Sequence, residues 1–244
     1  MATHFARGIL NSGHLLPTRL SSDSHTRARQ LPAHQRTRFL ATRSLLAELM
    51  FMLYGISELP AIVTRPDGKP EFAESGYPRF SIAYAGNIAG VALTTGAECG
   101  LGMELQRAAR GFTSSGSAQF SNNEQLWIKN QNDPSEAKAQ ILTLRQSVLK
   151  LSGDTENRAQ LQLLPGSGRL KAATAQPVEA ICDAEDVLVW SVAVTPVIER
   201  LKVWEFDSLT GWRGLPDVQL RASEPSARLM RFTSLPGERT PIHS

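Results

Sequence analysis

Apolar positions along the chain change period several times, and each change predicts an element. From His34 to Tyr54, Phe39, Leu45, Leu46, Leu49, Met50 and Leu53 recur mostly at spacings of three and four, with Arg36, Arg43 and Glu48 between them. That period predicts an amphipathic helix with one buried stripe. Gly55 follows as a natural left-handed stop. Pro60 to Pro78 is rich in Pro and Gly and contains Pro66-Asp67-Gly68, which predicts an irregular connection built on a turn. Between Arg79 and Thr95 the period falls to two. Phe80, Ile82 and Tyr84 alternate, Ala85-Gly86-Asn87 supplies a turn, and Ile88 to Thr94 returns as the second arm of a hairpin. A short third strand is expected at Gly100 to Leu105.

The order then recurs. A Gly, Ser and Asn-rich linker, Gly111 to Asn123, leads to a helical stretch at Glu124 to Asn130. After a break at Asn132-Asp133-Pro134, a longer helix is expected at Ser135 to Leu151, stopped by Ser152-Gly153. A turn at Pro165 to Gly168 precedes a second hairpin, Val178 to Thr195, turning near Asp183 to Asp186. Both parts run helix, irregular connection, hairpin. The predicted fold class is therefore α+β, with two pseudo-repeated halves at 1–110 and 111–207, each a helix packed on a small antiparallel sheet. Tandem duplication explains the recurrence, and so does coincidence between common motifs. Beyond Asp207, scattered Gly and Pro predict a loop-like surface tail at 208–244, flexible towards its end.

Composition adds few constraints. With 41% apolar and 20% charged residues, the chain has the balance of a globular protein long enough to bury a core. The net charge of +3 is modest but uneven. Between Arg19 and Arg43 stand six arginines (Arg19, Arg27, Arg29, Arg36, Arg38, Arg43) and two histidines against one acid, Asp23. Such a stretch suits phosphate or an acidic protein surface, because guanidinium presents a planar fork of donors. It also suits a solvated helix face. Cys99 and Cys182 lack metal-ligand spacing and read as buried thiols of a reducing compartment. No leader-like start and no apolar run of about 20 residues is seen, so a cytoplasmic protein is expected.

A series of weak motifs, in order, resembles the Sfp-type 4′-phosphopantetheinyl transferases, in a divergent, enterobacterial YieE-like branch, over roughly Ala33 to Pro196. Arg38-Phe39-Leu40-Ala41-Thr42-Arg43-Ser44-Leu45-Leu46 is similar to the family's first-helix pattern Arg-Phe-Leu-Ala-Gly-Arg-x-Leu-Leu. The resemblance implies that Arg43, with Arg38, reaches the 3′-phosphate end of coenzyme A. Asp67-Gly68-Lys69-Pro70 resembles Tyr-Gly-Lys-Pro, which places Lys69 and Pro70 against the adenine nucleotide. Phe80 to Ala85 stands where the family has Phe-Asn-Leu-Ser-His-Ser, with Tyr84 replacing the phosphate-binding histidine. Gly100-Leu101-Gly102-Met103-Glu104 resembles Gly-Val-Asp-Ile-Glu, whose two acids hold Mg²⁺; only Glu104 remains here. Phe120-Ser121-Asn122-Asn123-Glu124 resembles Phe-Ser-Pro-x-Glu. Leu142 to Lys150 occupies the place of Trp-Thr-x-Lys-Glu-Ala-x-x-Lys. Arg145 and Lys150 keep its positive charges, and Gln146 replaces the acid that serves as third metal ligand and candidate base.

The resemblance implies a pseudo-dimeric monomer moving phosphopantetheine from coenzyme A to a serine of an acyl or peptidyl carrier protein. Glu104 and Lys150 are the expected catalytic residues, and Glu104 the remaining ligand of a weak Mg²⁺ site. Arg38, Arg43, Lys69, Pro70, Tyr84, Arg145 and Lys150 are the expected coenzyme A contacts. Because such transfer depends on neutralising phosphate charge, loss of two acids predicts weakened activity. On this reading Gly102→Asp with Gln146→Glu raises it strongly. The alternatives are a retired coenzyme A- or carrier-binding module and, remotely, a basic nucleic-acid-binding protein. Against the last, no helix-turn-helix signature or aromatic-rich basic strand is seen.

Overall fold

The computed structural model describes residues 2–9, 18–106, 120–152, 161–172, 174, 176–221 and 228–234. It is a mixed α+β fold with several small sheets and few helices. Strand β1 (Ala2–Ile9) comes first, then helices α1 (Ser22–Gln30) and α2 (Ala33–Tyr54). The expected apolar stripe fixes how α2 sits: Leu45, Leu46, Leu49 and Met50 are fully buried, and Gly55, at φ +70, ends the helix. Gly55 N–H donates to the Phe51 carbonyl, and any L side chain there would meet the left-handed penalty. α1 starts from Ser21, whose hydroxyl accepts the Ser24 N–H at 3.3 Å.

The arginine-rich stretch divides by role. Arg36 spans the bend between α1 and α2, donating to the carbonyls of Ala28 at 3.0 Å and Leu31 at 3.2 Å. It thereby satisfies carbonyls that the end of α1 leaves open. Arg19 pairs with Glu48 and lies 3.4 Å over the Phe51 ring, and Arg27 pairs with Asp23 one helical turn away. Arg38 and Arg43 make no ion pair among the described residues and belong to the site below.

The irregular connection contains a small hairpin, β2 (Ile62–Thr64) and β3 (Pro70–Phe72). The predicted hairpin follows as β4 (Arg79–Ala85) and β5 (Ile88–Thr94), and the third strand is β6 (Glu98–Leu105). In the second part, α3 (Asn122–Lys129) opens with a capping box between Ser121 and Glu124. α4 (Pro134–Ser152) begins where Asp133 accepts the Glu136 N–H at 3.1 Å, so the expected break is a helix cap followed by proline. Next come β7 (Gln162–Leu164), β8 (Arg169–Lys171) and the second hairpin, β9 (Glu179–Ala184) with β10 (Leu188–Thr195).

Five elements depart from expectation. β1 is inserted between β5, antiparallel, and β11 (Arg200–Asp207), parallel. The segment 200–207, assigned on sequence to the second half, thus completes the first sheet, whose order is β12-β11-β1-β5-β4. The tail read as loop also carries regular structure: β12 (Gly211–Gly214), the short helix α5 (Val218–Arg221) and β13 (Met230–Thr233). β13 lies between β9 and β8 in the second sheet, ordered β6-β10-β9-β13-β8-β7, and buries Phe232. The expected linker at 111–119, the boundary at 110–111, the Gly153 stop and the end of the tail at 235–244 lie outside the described residues.

The layers decide where a site can form. α2 covers one face of the first sheet, burying Phe80, Val91 and Leu93, and α4 covers the second, burying Ile141, Leu144 and Val148. A third core, containing Phe5, Leu101, Met103 and Trp190, joins the two sheets. Edge strands β4 and β6 meet there, with Leu101 N–H donating to the Ser81 hydroxyl at 3.1 Å. No helix among the described residues is long and apolar enough to cross a membrane.

Candidate functional site

The candidate residues gather around the meeting of β4, β6 and α4. Side chains alternate along β6, so Glu98, Gly100, Gly102 and Glu104 share the face turned to α4. The two glycines let the helix lie directly on the strand. A Cβ at Gly100 would sit 1.9 Å from the Ser147 carbonyl oxygen, and one at Gly102 would sit 2.2 Å from that of Thr143. No side chain fits either gap while the helix backbone stays in place.

The two ends of this face carry the charges. At one end, Lys69 Nζ donates to Glu98 at 2.7 Å and to the Cys99 carbonyl at 2.6 Å, and Arg65 reaches Glu98 at 2.8 Å. Lys69 is aimed there by its turn. Asp67 accepts the Lys69 N–H, Gly68 stands at φ +85, and Pro70 opens β3 directly afterwards. At the other end, Gln146 Nε2 donates to Glu104 Oε1 at 2.8 Å. A carboxylate only accepts, so this contact turns the amide nitrogen, not its oxygen, towards Glu104.

Lys150 crosses from α4 to the first sheet. Its Nζ donates to the Ile82 carbonyl of β4 at 2.8 Å. Burial, with a smaller contribution from the positive charge of Lys69, pushes its ammonium down to about 8. Two residues further along β4, the exposed Tyr84 ring lies 4.4 Å from the Arg38 guanidinium, a cation–π contact. Arg43 lies deeper in α2. It is 9% exposed, its charge is 5.0 Å from the Phe39 ring, and its Nη1 has no hydrogen-bond partner among the described residues. Burial and then the charge of Arg27 lower it to about 10, so it stays cationic at neutral pH in a place that disfavours cations. An anion binding beside it would relieve that cost.

Arg145 is held elsewhere. It was expected to face coenzyme A phosphate, but its Nη2 donates to both carboxylate oxygens of Glu124, at 2.5 and 2.6 Å. Glu124 is 1% exposed, so this charge is spent inside the protein. The expected set is thus brought together in part: Lys69, Lys150, Arg38 and Tyr84 border β4 and the start of β6, Glu104 marks the far end of β6, and Arg145 is engaged with α3. Glu98, Arg65, Glu124 and the Ile82 carbonyl were missed. Glu98 was within reach of sequence reasoning, since it continues the period of two through Gly100, Gly102 and Glu104.

The residues present do not fit a three-carboxylate Mg²⁺ site. Among the described residues no group of three His, Cys, Asp or Glu side chains is placed to hold a metal ion. The one remaining acid, Glu104, is bonded to an amide donor. Both cysteines are buried as expected, and burial pushes the Cys99 thiol up to about 12. A cavity of about 810 Å³ lies apart from all the expected residues, between Arg7, Glu185, Phe206 and Arg213.

No family model matches the chain. Two curated proteins, each named "Uncharacterized protein YieE", are 63% identical to it over 240 residues. One is from Escherichia coli strain K12 and the other from Escherichia coli O6:H1 strain CFT073, and in both cases the match covers 96% of each chain. With identity this high over nearly the whole length of both, the chain belongs to the YieE family.

Proposed function

We propose that the protein is a phosphopantetheinyl transferase-like scaffold that binds coenzyme A and has lost the metal-centred transfer step. The observation that carries the reading is positive charge gathered at β4 without a carboxylate partner among the described residues. Lys150 Nζ sits on the Ile82 carbonyl and Arg38 stacks on Tyr84, while Arg43, deeper in α2, is buried with a nitrogen that has no partner among the described residues. Phosphate oxygens are the natural complement of such donors. Lys69, seated in its turn, lines the approach to Lys150.

The recurring order of elements supports the same reading. Arg43 to Val91 spans 48 positions and Arg145 to Val189 spans 44, each running from helix to hairpin. The two sheets then meet at β4 and β6, and a pseudo-dimeric monomer of this superfamily would hold its ligand in the cleft between its halves. An acyl or peptidyl carrier protein, with its acidic helix, is the partner this reading implies, in the cytoplasm and without a membrane.

A proton-linked binding curve tests the proposal. Protonated Lys150 is the binding form, and contact with phosphate raises its pKa. Binding therefore takes up a proton once the pH exceeds about 8, and affinity falls as pH rises further. Adenosine 3′,5′-bisphosphate, which has no thiol to titrate, is expected to bind roughly tenfold more weakly near pH 9.5 than near pH 7, from a shift of about one pKa unit. Lys150→Met is expected to weaken binding at pH 7 and flatten the profile. Absence of binding at pH 7 defeats the reading.

Slow transfer is the second reading, favoured by Lys150 remaining as an ammonium able to protonate a leaving phosphate. Intact-mass spectrometry of an apo carrier protein incubated with coenzyme A separates the two. Binding without added carrier mass is the expected result, and a gain of one phosphopantetheine establishes the transferase.

A further inference from the structure

We propose that the phosphate site works without a divalent cation, because α4 itself fills the place such an ion would need. The inference rests on the coenzyme A reading above. It is carried by the contact between α4 and β6. At Gly102 the Thr143 carbonyl oxygen lies within 2.2 Å of where a Cβ would stand, so the helix backbone occupies the volume of any side chain there. Glu104 is drawn onto the helix by the Gln146 amide at 2.8 Å. The next acid along the strand, Glu98, is tied to Lys69 and Arg65. Mg²⁺ needs near-octahedral oxygen ligation, and beside water and phosphate it would find here one carboxylate, already bonded to an amide donor.

Positive charge is instead provided by fixed side chains. Lys69 and Lys150 are held by backbone carbonyls of β6 and β4, Cys99 and Ile82, and Arg38 by the Tyr84 ring. These donors are in place before ligand arrives, so no ion is required to assemble them. Gln146 is then a positioning residue. Its amide pins Glu104 to α4 and keeps the contact closed. Gln146→Glu replaces a donor by a second carboxylate 2.8 Å from the first, and such a pair repels unless a cation or proton intervenes.

Two measurements on the full chain test this. Calorimetric titration with adenosine 3′,5′-bisphosphate, in EDTA and in millimolar MgCl₂, is expected to give dissociation constants within about twofold of each other, since an ion that does not bind shifts nothing. A tightening of about tenfold or more with Mg²⁺ overturns the proposal. Thermal melts supply the second readout. The wild-type midpoint is expected to be indifferent to Mg²⁺, and Gln146→Glu is expected to be destabilised equally in EDTA and in MgCl₂, since α4 leaves no room for the ion. Stabilisation of either chain by Mg²⁺ contradicts the closed contact, and a Gln146→Glu chain as stable as wild type removes the role given to Gln146. If that variant does not fold, the wild-type melt alone decides. No heat of binding in either buffer defeats the coenzyme A reading, and the melts then still decide the metal question.

Discussion

Replacing Glu124 by alanine is expected to destabilise the fold by about 3 kcal/mol, the lower end of what removing one partner of a buried ion pair costs. Glu124 is 1% exposed and performs two tasks. It accepts the Ser121 N–H at 2.8 Å, closing the capping box of α3, and it takes both contacts from Arg145 of α4. Without it, Arg145 keeps its charge in a largely buried place, with its Nε already lacking a partner among the described residues. The Arg145 side chain is 21% exposed, so water recovers part of the loss, hence the lower end of the range. Urea unfolding measures the effect. Arg145→Met combined with Glu124→Ala is expected to cost less than the sum of the single changes, because the orphaned charge is gone. A loss below about 1 kcal/mol for Glu124→Ala would mean the pair is no more than a surface contact.

Gly102→Asp is expected to destabilise the protein rather than restore activity. On sequence this change, with Gln146→Glu, rebuilds a pair of acids and raises transfer; the structure reverses that expectation. The new Cβ would lie 2.2 Å from the Thr143 carbonyl oxygen and 3.0 Å from Gln146 Cβ, and the first of these is backbone, which cannot rotate aside. Relief requires moving α4 off β6 and opening the core around Leu144 and Val148. Overpacking of this kind costs about 3 kcal/mol or more, and burying a carboxylate adds to it. Gly102→Ala isolates the steric part. In a chain this size a loss of about 3 kcal/mol lowers the melting midpoint by roughly 6–12 °C. A Gly102→Ala midpoint within about 1 °C of wild type would show that the helix yields easily and that an acid could be housed there.

The elements legible in the sequence were those whose apolar residues repeat a period. α2 announces itself through Leu45, Leu46, Leu49 and Met50, and the hairpin β4–β5 through Phe80, Ile82 and Tyr84 with Gly86 at the turn. β1 repeats none. It pairs on both edges and is covered on both faces, Phe5 entering the middle core and Ala6 the core under α2. Its polar Arg7 is neutralised by Glu185 and Glu205, partners nearly two hundred residues away, which no local pattern reveals. β13 is four residues long with Phe232 as its one fully buried side chain, too short to establish a period. β11 was within reach but not predicted: buried Leu201 and Val203 alternate with exposed Lys202.

The site divides in the same way. The resemblance singled out Glu104 on the strand and Gln146 and Lys150 on the helix, and those side chains lie near the meeting of β4, β6 and α4. Spacing could not show that a backbone carbonyl fills the space beside Gly102, because closeness between a helix and a strand depends on how they pack. Nor could it show that Arg145 answers to Glu124. The Ser121 to Glu124 capping pattern is visible in sequence, but its second partner comes from the next helix.

Hydrogen–deuterium exchange of the full chain, with and without coenzyme A, tests the central claim most directly. The account predicts protection in peptides covering Arg38 to Arg43, Arg65 to Pro70, Arg79 to Ala85 and Thr143 to Lys150, and little change elsewhere. Protection confined to Glu185 to Leu188 and Glu205 to Arg213, around the separate cavity, would place the ligand at the other site and contradict it.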